Sequence, residues 1–197
     1  MKILLVGATG TIGSAVAAAL SPTHEVISAS HTKSKHKVDL ADPGSIRKMY
    51  QEVGRVDAVI CAAGEAKFAP LASLTEDDFQ FCLSNKLMGQ VNLVRIGFEY
   101  VSDAGSFTLT SGILAQQPMV GSAAISLVNA GLEGFTRAAA LEAPRGIRVN
   151  VVSPPWVTET LVALGMDTSQ GTPAATVARA YVRTLEGSGT GEVIAAS

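Results

Sequence analysis

The chain has 197 residues, 47% of them hydrophobic and 16% charged, and a net charge of −2. That length suits one domain with a full core, and the apolar excess (mean hydropathy +0.31) suits strands covered on both faces. With no basic stripe or aromatic–Arg cluster a nucleic-acid partner is not expected, and no apolar run reaches membrane-spanning length without a charge or breaker.

Two cysteines, Cys61 and Cys82, make no disulfide framework and point to a reducing compartment. "MKILLVG" is too short for an export signal and runs straight into a glycine turn. It reads as a strand, and the expected location is the cytoplasm. No metal site is expected.

In chain order, short apolar runs alternate with longer amphipathic ones. Strands are predicted at 2–7, 24–30, 56–64, 105–112, 147–154 and 191–197. Helices are predicted at 11–20, 42–53, 73–101, 123–143 and 173–185. Asp42 caps the second helix with a proline in its first turn. Thr75 precedes three acids in the next, which suit a helix N-terminus. Pro144 stops the long helix from 123. The alternation implies an α/β fold with a right-handed, mostly parallel sheet covered on both faces. No linker or repeat divides it, so 1–197 reads as a single domain.

The binding motif is "VGATGTIG", residues 6–13, between a strand and a helix. Gly7 allows a tight turn, Gly10 lets backbone approach a pyrophosphate, and Gly13 lets helix pack on strand. The helix N-terminus then offers unpaired N–H groups to anionic oxygen. The spacing is GxxGxxG rather than GxGxxG. NAD sites place an acid at the end of the second strand; here "SASHTKSK" supplies Ser30, His31, Thr32 and Lys33. Hydroxyls and positive charge favour NADP, with NAD possible and with no Arg for the phosphate.

With these parts in place, the chain resembles the short-chain dehydrogenase/reductase family along nearly its whole length. "DL" (Asp39, Leu40) matches the adenine contact, and "CAAG" (61–64) looks like the NNAG motif. "SNKLMGQ" matches the segment carrying an active-site Asn, here Asn85, and "LTSG" the strand end carrying an active-site Ser, here Ser111. "NAGLEGFTRAAALE" and "RGIRVNVVSPP" match the helix and strand that follow. The resemblance implies a Rossmann-type, doubly wound parallel sheet in three α/β/α layers, with 1–197 as a single NAD(P)-binding domain, and hydride exchange between NADP and a small carbonyl or alcohol. Implied catalytic residues are Ser111 and Asn85. Implied cofactor contacts are Gly7, Thr9, Gly10, Thr11, Ile12 and Gly13 in the turn, Ser30, His31 and Thr32 after the second strand, and Asp39 and Leu40. Ala62, Ala63, Gly64, Asn129, Pro154 and Val157 complete the set.

The family's Tyr and Lys lie four residues apart on one helix face. Those positions hold Ile125 and Asn129 here, and 118–128 contain no Tyr, Lys, His or acid. Isoleucine cannot ionise, and asparagine can bond a ribose hydroxyl but brings no charge. Tyr50, Tyr100 and Tyr181 read as packing or surface residues. Glu65 and Lys67, just after "CAAG", are the substitutes weighed for the proton donor. Ser111 and Asn85 could also be structural, one ending a strand and the other bracing the sheet. Pro155 stands where the family favours Gly, and the segment between Trp156 and Pro173 is short for a substrate lid. The alternatives to an oxidoreductase are a non-catalytic NAD(P)-binding sensor, like the NmrA-like regulators, and a structural subunit with a relic site. The helices at 75–101 and 123–143 are rich in apolar and small residues, as at the interfaces of relatives, so a homodimer or homotetramer is expected.

Overall fold

The structure, a computed structural model, describes residues 1–196. The strands are β1 (Lys2–Val6), β2 (Glu25–Ser30), β3 (His36–Lys37), β4 (Val56–Cys61), β5 (Val101–Thr110), β6 (Arg148–Ser153) and β7 (Val193–Ala195). They form one parallel sheet in the order β3-β2-β1-β4-β5-β6-β7. The helices are α1 (Thr11–Leu20), α2 (Pro43–Val53), α3 (Glu76–Cys82), α4 (Gly89–Gly97), α5 (Ala123–Glu142), α6 (Thr158–Ala163) and α7 (Ala174–Glu186). α1 and α7 pack on one face of the sheet, and α2, α4 and α5 on the other. This is the covered parallel sheet that the alternation of runs implies, in the Rossmann-type, three-layer form that the family resemblance implies.

The two covered faces explain why β1 reads as an unbroken apolar run. Ile3 and Leu5 enter the core beneath α1 and α7, while Leu4 and Val6 enter the opposite one. The helix starts follow local chemistry. The Asp42 carboxylate accepts from the Gly44 N–H at 2.8 Å, and Pro43 opens α2. At α3, Thr75 Oγ1 accepts from the Asp78 N–H at 3.2 Å while the Asp78 carboxylate accepts from the Thr75 N–H at 3.0 Å.

The three tyrosines pack. Tyr50 is fully buried, donates to the Leu93 carbonyl at 2.8 Å and stacks on Tyr100 at 5.1 Å between centroids. Tyr181 shares a 2.7 Å hydrogen bond with Thr110 Oγ1. Burial raises the pKa of both Tyr50 and Tyr181, so neither phenol ionises readily.

Several boundaries differ from expectation. The helix predicted over 73–101 is broken into α3, a π-helical turn over Leu83–Met88, and α4. β5 begins at Val101, four residues early, because Val101 pairs with Val56 before the register shifts. The polar turn-like residues Ser102–Gly105 mask that first pairing, and Ala104 adopts φ 57° there. β3 and α6 are too short to carry a readable period. The last strand lies inside the predicted 191–197; Ser197 is outside the described residues.

Candidate active site

The chain leaves β1 toward β2 and β3, then returns at β4 on the other side, so a crevice opens between the carboxyl ends of β1 and β4. The glycine turn forms one wall. Gly7 has φ +85°, and a Cβ there would fall 2.7 Å from the Ala62 carbonyl oxygen. A Cβ on Gly13 would fall 1.9 Å from the Gly7 oxygen. Only glycine permits this approach of α1 to the strand ends. Gly10 is the N-cap of α1 and no side chain caps that end, so the N–H groups of Thr11 and Ile12 are free for an anionic ligand.

Two cavities meet along the strand ends. The larger, about 630 Å³, is lined by Gly7, Thr9, Gly10, Ser30, His31, Asp39, Leu40, Glu65 and Asn85. The smaller, about 250 Å³, is lined by Ile12, Lys86, Ser111, Ile125, Asn129, Pro154, Trp156 and Val157. Ala62, Ala63 and Gly64 line both. A long cleft joined to a small pocket is the space that a dinucleotide and a small substrate need. Thr32 is exposed on the turn after β2 and does not line the cleft. Ser30 closes that turn, its Oγ accepting from the N–H groups of Ser34 at 2.8 Å and Lys33 at 3.1 Å.

Asn129 carries the clearest sign of a missing ligand. It is 2% exposed, its Nδ2 reaches the Gly112 carbonyl only at 3.5 Å, and its Oδ1 is buried without a hydrogen-bond partner. An unpaired buried amide oxygen costs on the order of 1–3 kcal/mol. Asn129 lines the smaller pocket, and a rotation of its carboxamide would turn Oδ1 to a ribose hydroxyl there, so these residues fit a bound dinucleotide.

The two residues proposed for catalysis are engaged with protein. Asn85 Oδ1 accepts from the Glu65 N–H at 2.7 Å, tying the loop after β4 to the π-helical turn. Ser111 Oγ lies 3.1 Å from Glu133 Oε1 and 3.4 Å from the Val152 carbonyl, so its proton points into a buried cluster. Gln116 Nε2 completes that cluster, 2.6 and 2.5 Å from the two Glu133 oxygens. Asn85 lines the larger cleft and Ser111 the smaller pocket; no one cavity holds both.

The substitutes weighed after "CAAG" are placed elsewhere. The Lys67 amine lies over the Phe81 ring at 5.4 Å and 3.9 Å from Asp78 and lines neither cavity, and its backbone N–H donates to Cys82 Sγ. Glu65 faces the larger cleft. The cation at the smaller pocket is instead Lys86, which the sequence reading missed. Its Nζ donates to the Ser111 carbonyl at 3.4 Å, and burial lowers its pKa to about 8 while nearby Cys61 and Cys82 act the other way. Glu133 and Gln116 were also missed. The available signal for Lys86 was one lone cation within the otherwise uncharged "FCLSNKLMG".

Among the described residues no helix is long and apolar enough to cross a membrane, and no His/Cys/Asp/Glu group could hold a metal.

Fold and cleft together define a dinucleotide-binding protein of the doubly wound α/β class. A family model described as enoyl-(acyl carrier protein) reductase matches residues 7–196. The chain belongs to the short-chain dehydrogenase/reductase family. It is similar to a solved structure of the protein lin1944 from Listeria innocua, with 44% identity, a TM-score of 0.96, and coverage of 99% of this chain and 98% of that one. It is also similar to a small-chain dehydrogenase solved in complex with NADPH, with 27% identity, a TM-score of 0.88, and coverage of 99% and 95%. Among curated relatives, hydroxynaphthalene reductase arp2 of Aspergillus fumigatus is 32% identical over 126 residues, 61% of this chain and 46% of the relative. Acetoacetyl-CoA reductase of Cupriavidus necator is 30% identical over 118 residues, 58% and 48%. The match thus spans about half the length of these curated relatives.

Proposed function

We propose that the protein is an NADP(H)-dependent oxidoreductase acting on a small carbonyl or alcohol, built as one Rossmann domain over 1–197. The observation that carries this reading is the unpartnered Asn129 Oδ1 in a small pocket that shares its floor, Ala62–Gly64, with a dinucleotide-sized cleft. The uncapped turn at Gly10–Ile12 would hold the pyrophosphate, and Asn129 would accept from the nicotinamide ribose. Ser30 and His31, with the Lys33 ammonium on the same turn, give a 2′-phosphate polar and cationic partners, and β2 ends without an acid. A bound NADPH supplies the hydride; the chain's own residues hold the substrate and exclude water. The NADPH complex of the small-chain dehydrogenase and the reductase names of the relatives support the reading.

The second reading is a cofactor-binding sensor. Ile125 on α5 and the engagement of Ser111 with Glu133 favour it.

Fluorescence titration separates the cofactors: NADPH is expected to bind about tenfold or more tighter than NADH, a difference of about 1.4 kcal/mol. NADPH oxidation is then followed with aldehydes, ketones and quinones. Tight NADPH binding with no oxidation across that panel refutes the enzyme and favours the sensor. Equal affinity for NADH refutes the NADP preference.

A further inference from the structure

The pocket that should receive a carbonyl has no tyrosine, and its serine hydroxyl is drawn toward Glu133. We propose that Lys86 is the catalytic acid of this site: its amine holds the oxygen of a small apolar carbonyl substrate and gives that oxygen its proton. The proposal rests on the oxidoreductase reading above and names the group that completes it.

Several observations converge on Lys86. It lies in the π-helical turn Leu83–Met88, a wider turn that is uncommon and recurs at functional sites. It lines the same pocket as Ile125 and Asn129 and is half-buried. Its ammonium has three donors, yet it makes one long bond, to the Ser111 carbonyl at 3.4 Å. No carboxylate pairs with it among the described residues. Gly64 makes room for it: with φ +126° a Cβ there would press on Lys86 Cγ at 3.0 Å. Much of the remaining wall is apolar, from Ile12, Ile113, Leu114, Ile125, Pro154 and Trp156, with Ser111, Asn129 and Thr160 among its polar exceptions. A pocket with one amine among mostly apolar walls fits a small, largely apolar aldehyde or ketone.

The step balances. The carbonyl carbon gains hydride, two electrons and a proton, from the dihydronicotinamide, which is thereby oxidised. The C=O π pair moves onto oxygen as the new C–H bond forms. That oxygen takes a proton from Lys86 Nζ, so an N–H bond breaks and an O–H bond forms. The neutral amine regains its proton from solvent. An amine with a pKa of about 8 is mostly protonated at neutral pH and is a far better acid than an ordinary lysine. The titratable groups facing it are Cys61 from β4 and Cys82 from α3. Burial pushes the Cys61 thiol up to about 12, so it stays neutral. Glu133, on α5 across Ser111, is held by Gln116.

The chain's single tryptophan, Trp156, lines the pocket and reports on it without any cofactor. Benzoate, an apolar anion, stands in for the substrate oxygen as charge develops on it. It is expected to change Trp156 fluorescence, with affinity falling about tenfold per pH unit above about 8. Lys86→Met is expected to weaken benzoate at pH 7 by about tenfold or more, and Lys86→Arg, which keeps the charge, to retain it. Both variants should keep the NADPH Kd within about twofold and lose about 100-fold or more in kcat, since a guanidinium gives up no proton. Circular dichroism confirms that each variant is folded, and Lys86→Gln replaces any that is not. Benzoate affinity independent of pH and unchanged in Lys86→Met overturns the proposal. So does wild-type kcat in either variant, which leaves the oxidoreductase reading standing. A wild-type protein that does not bind NADPH overturns that reading and the proton transfer with it.

Discussion

Lys86 sits where the fold offers its ammonium one carbonyl oxygen and mostly apolar walls, and this has a consequence for stability. Its pKa falls from 10.5 to about 8. Between those values the unfolded chain binds more protons at this group than the folded one, so its contribution to stability rises with pH. Below about 8 the ammonium is present in both states and the full burial penalty applies. Above 10.5 the amine is neutral in both and the penalty vanishes. Lys86→Met is therefore expected to raise the free energy of unfolding at pH 7 by about 1–3 kcal/mol, and to change it little near pH 10.5. Urea denaturation at the two pH values measures this; a variant destabilised at pH 7 would contradict it. At this scale, what was legible were positions where geometry leaves one choice. Gly7 and Gly13 follow from backbone approach, and Ile125 and Asn129 from the match of the following residues to the family's helix. Lys86 was not legible, because a charged residue beside Asn85 reads equally well as solvated surface until its burial is known.

The π-helical turn is the element that made the difference. An expectation of one regular helix through 75–101 assigns faces at 3.6 residues per turn, and that phase is lost across Leu83–Met88. Asn85 reaches the loop at Glu65 while Lys86, the next residue, reaches under Gly64 to Ser111. Helix starts were legible because capping is local. The Thr75–Asp78 box forms as its spacing implies, and hydrogen bonds from Thr75 hold the Asp78 carboxyl below its ordinary pKa. Thr75→Ala leaves the N–H of Asp78 without its acceptor. The expected cost is about 1 kcal/mol of unfolding free energy, read from urea denaturation, with no change in NADPH affinity. A cost near zero would mean that α3 is held by packing through Cys82 and Phe79 alone.

For the whole molecule, the parallel sheet was legible because strands covered on both faces must be apolar throughout, whereas the extra edge strand β3 has two residues and no such signature. The same two-sided logic applies to α5. Its inner side buries Val128, Leu132 and Thr136, while its exposed stripe is Leu127, Ala130, Gly134, Ala138 and Leu141, interrupted by Arg137. Leu141 is 89% exposed, and a Cβ on Gly134 would meet nothing within 4 Å. Small residues between two leucines, two turns apart on each side of Gly134, make a smooth apolar strip of the kind that monomers rarely leave in water. We expect a second copy of this chain to cover it, packing α5 against α5 and fixing the helix whose other side carries Ile125 and Asn129. Leu127→Glu with Leu141→Glu places two charges in that seam. Sedimentation velocity should then find a dimer or larger assembly for the natural sequence and a monomer for the double variant. The pocket should lose NADPH affinity in the variant only if the partner steadies α5. A natural sequence that sediments as a monomer at every concentration would refute the interface and leave the strip needing another partner.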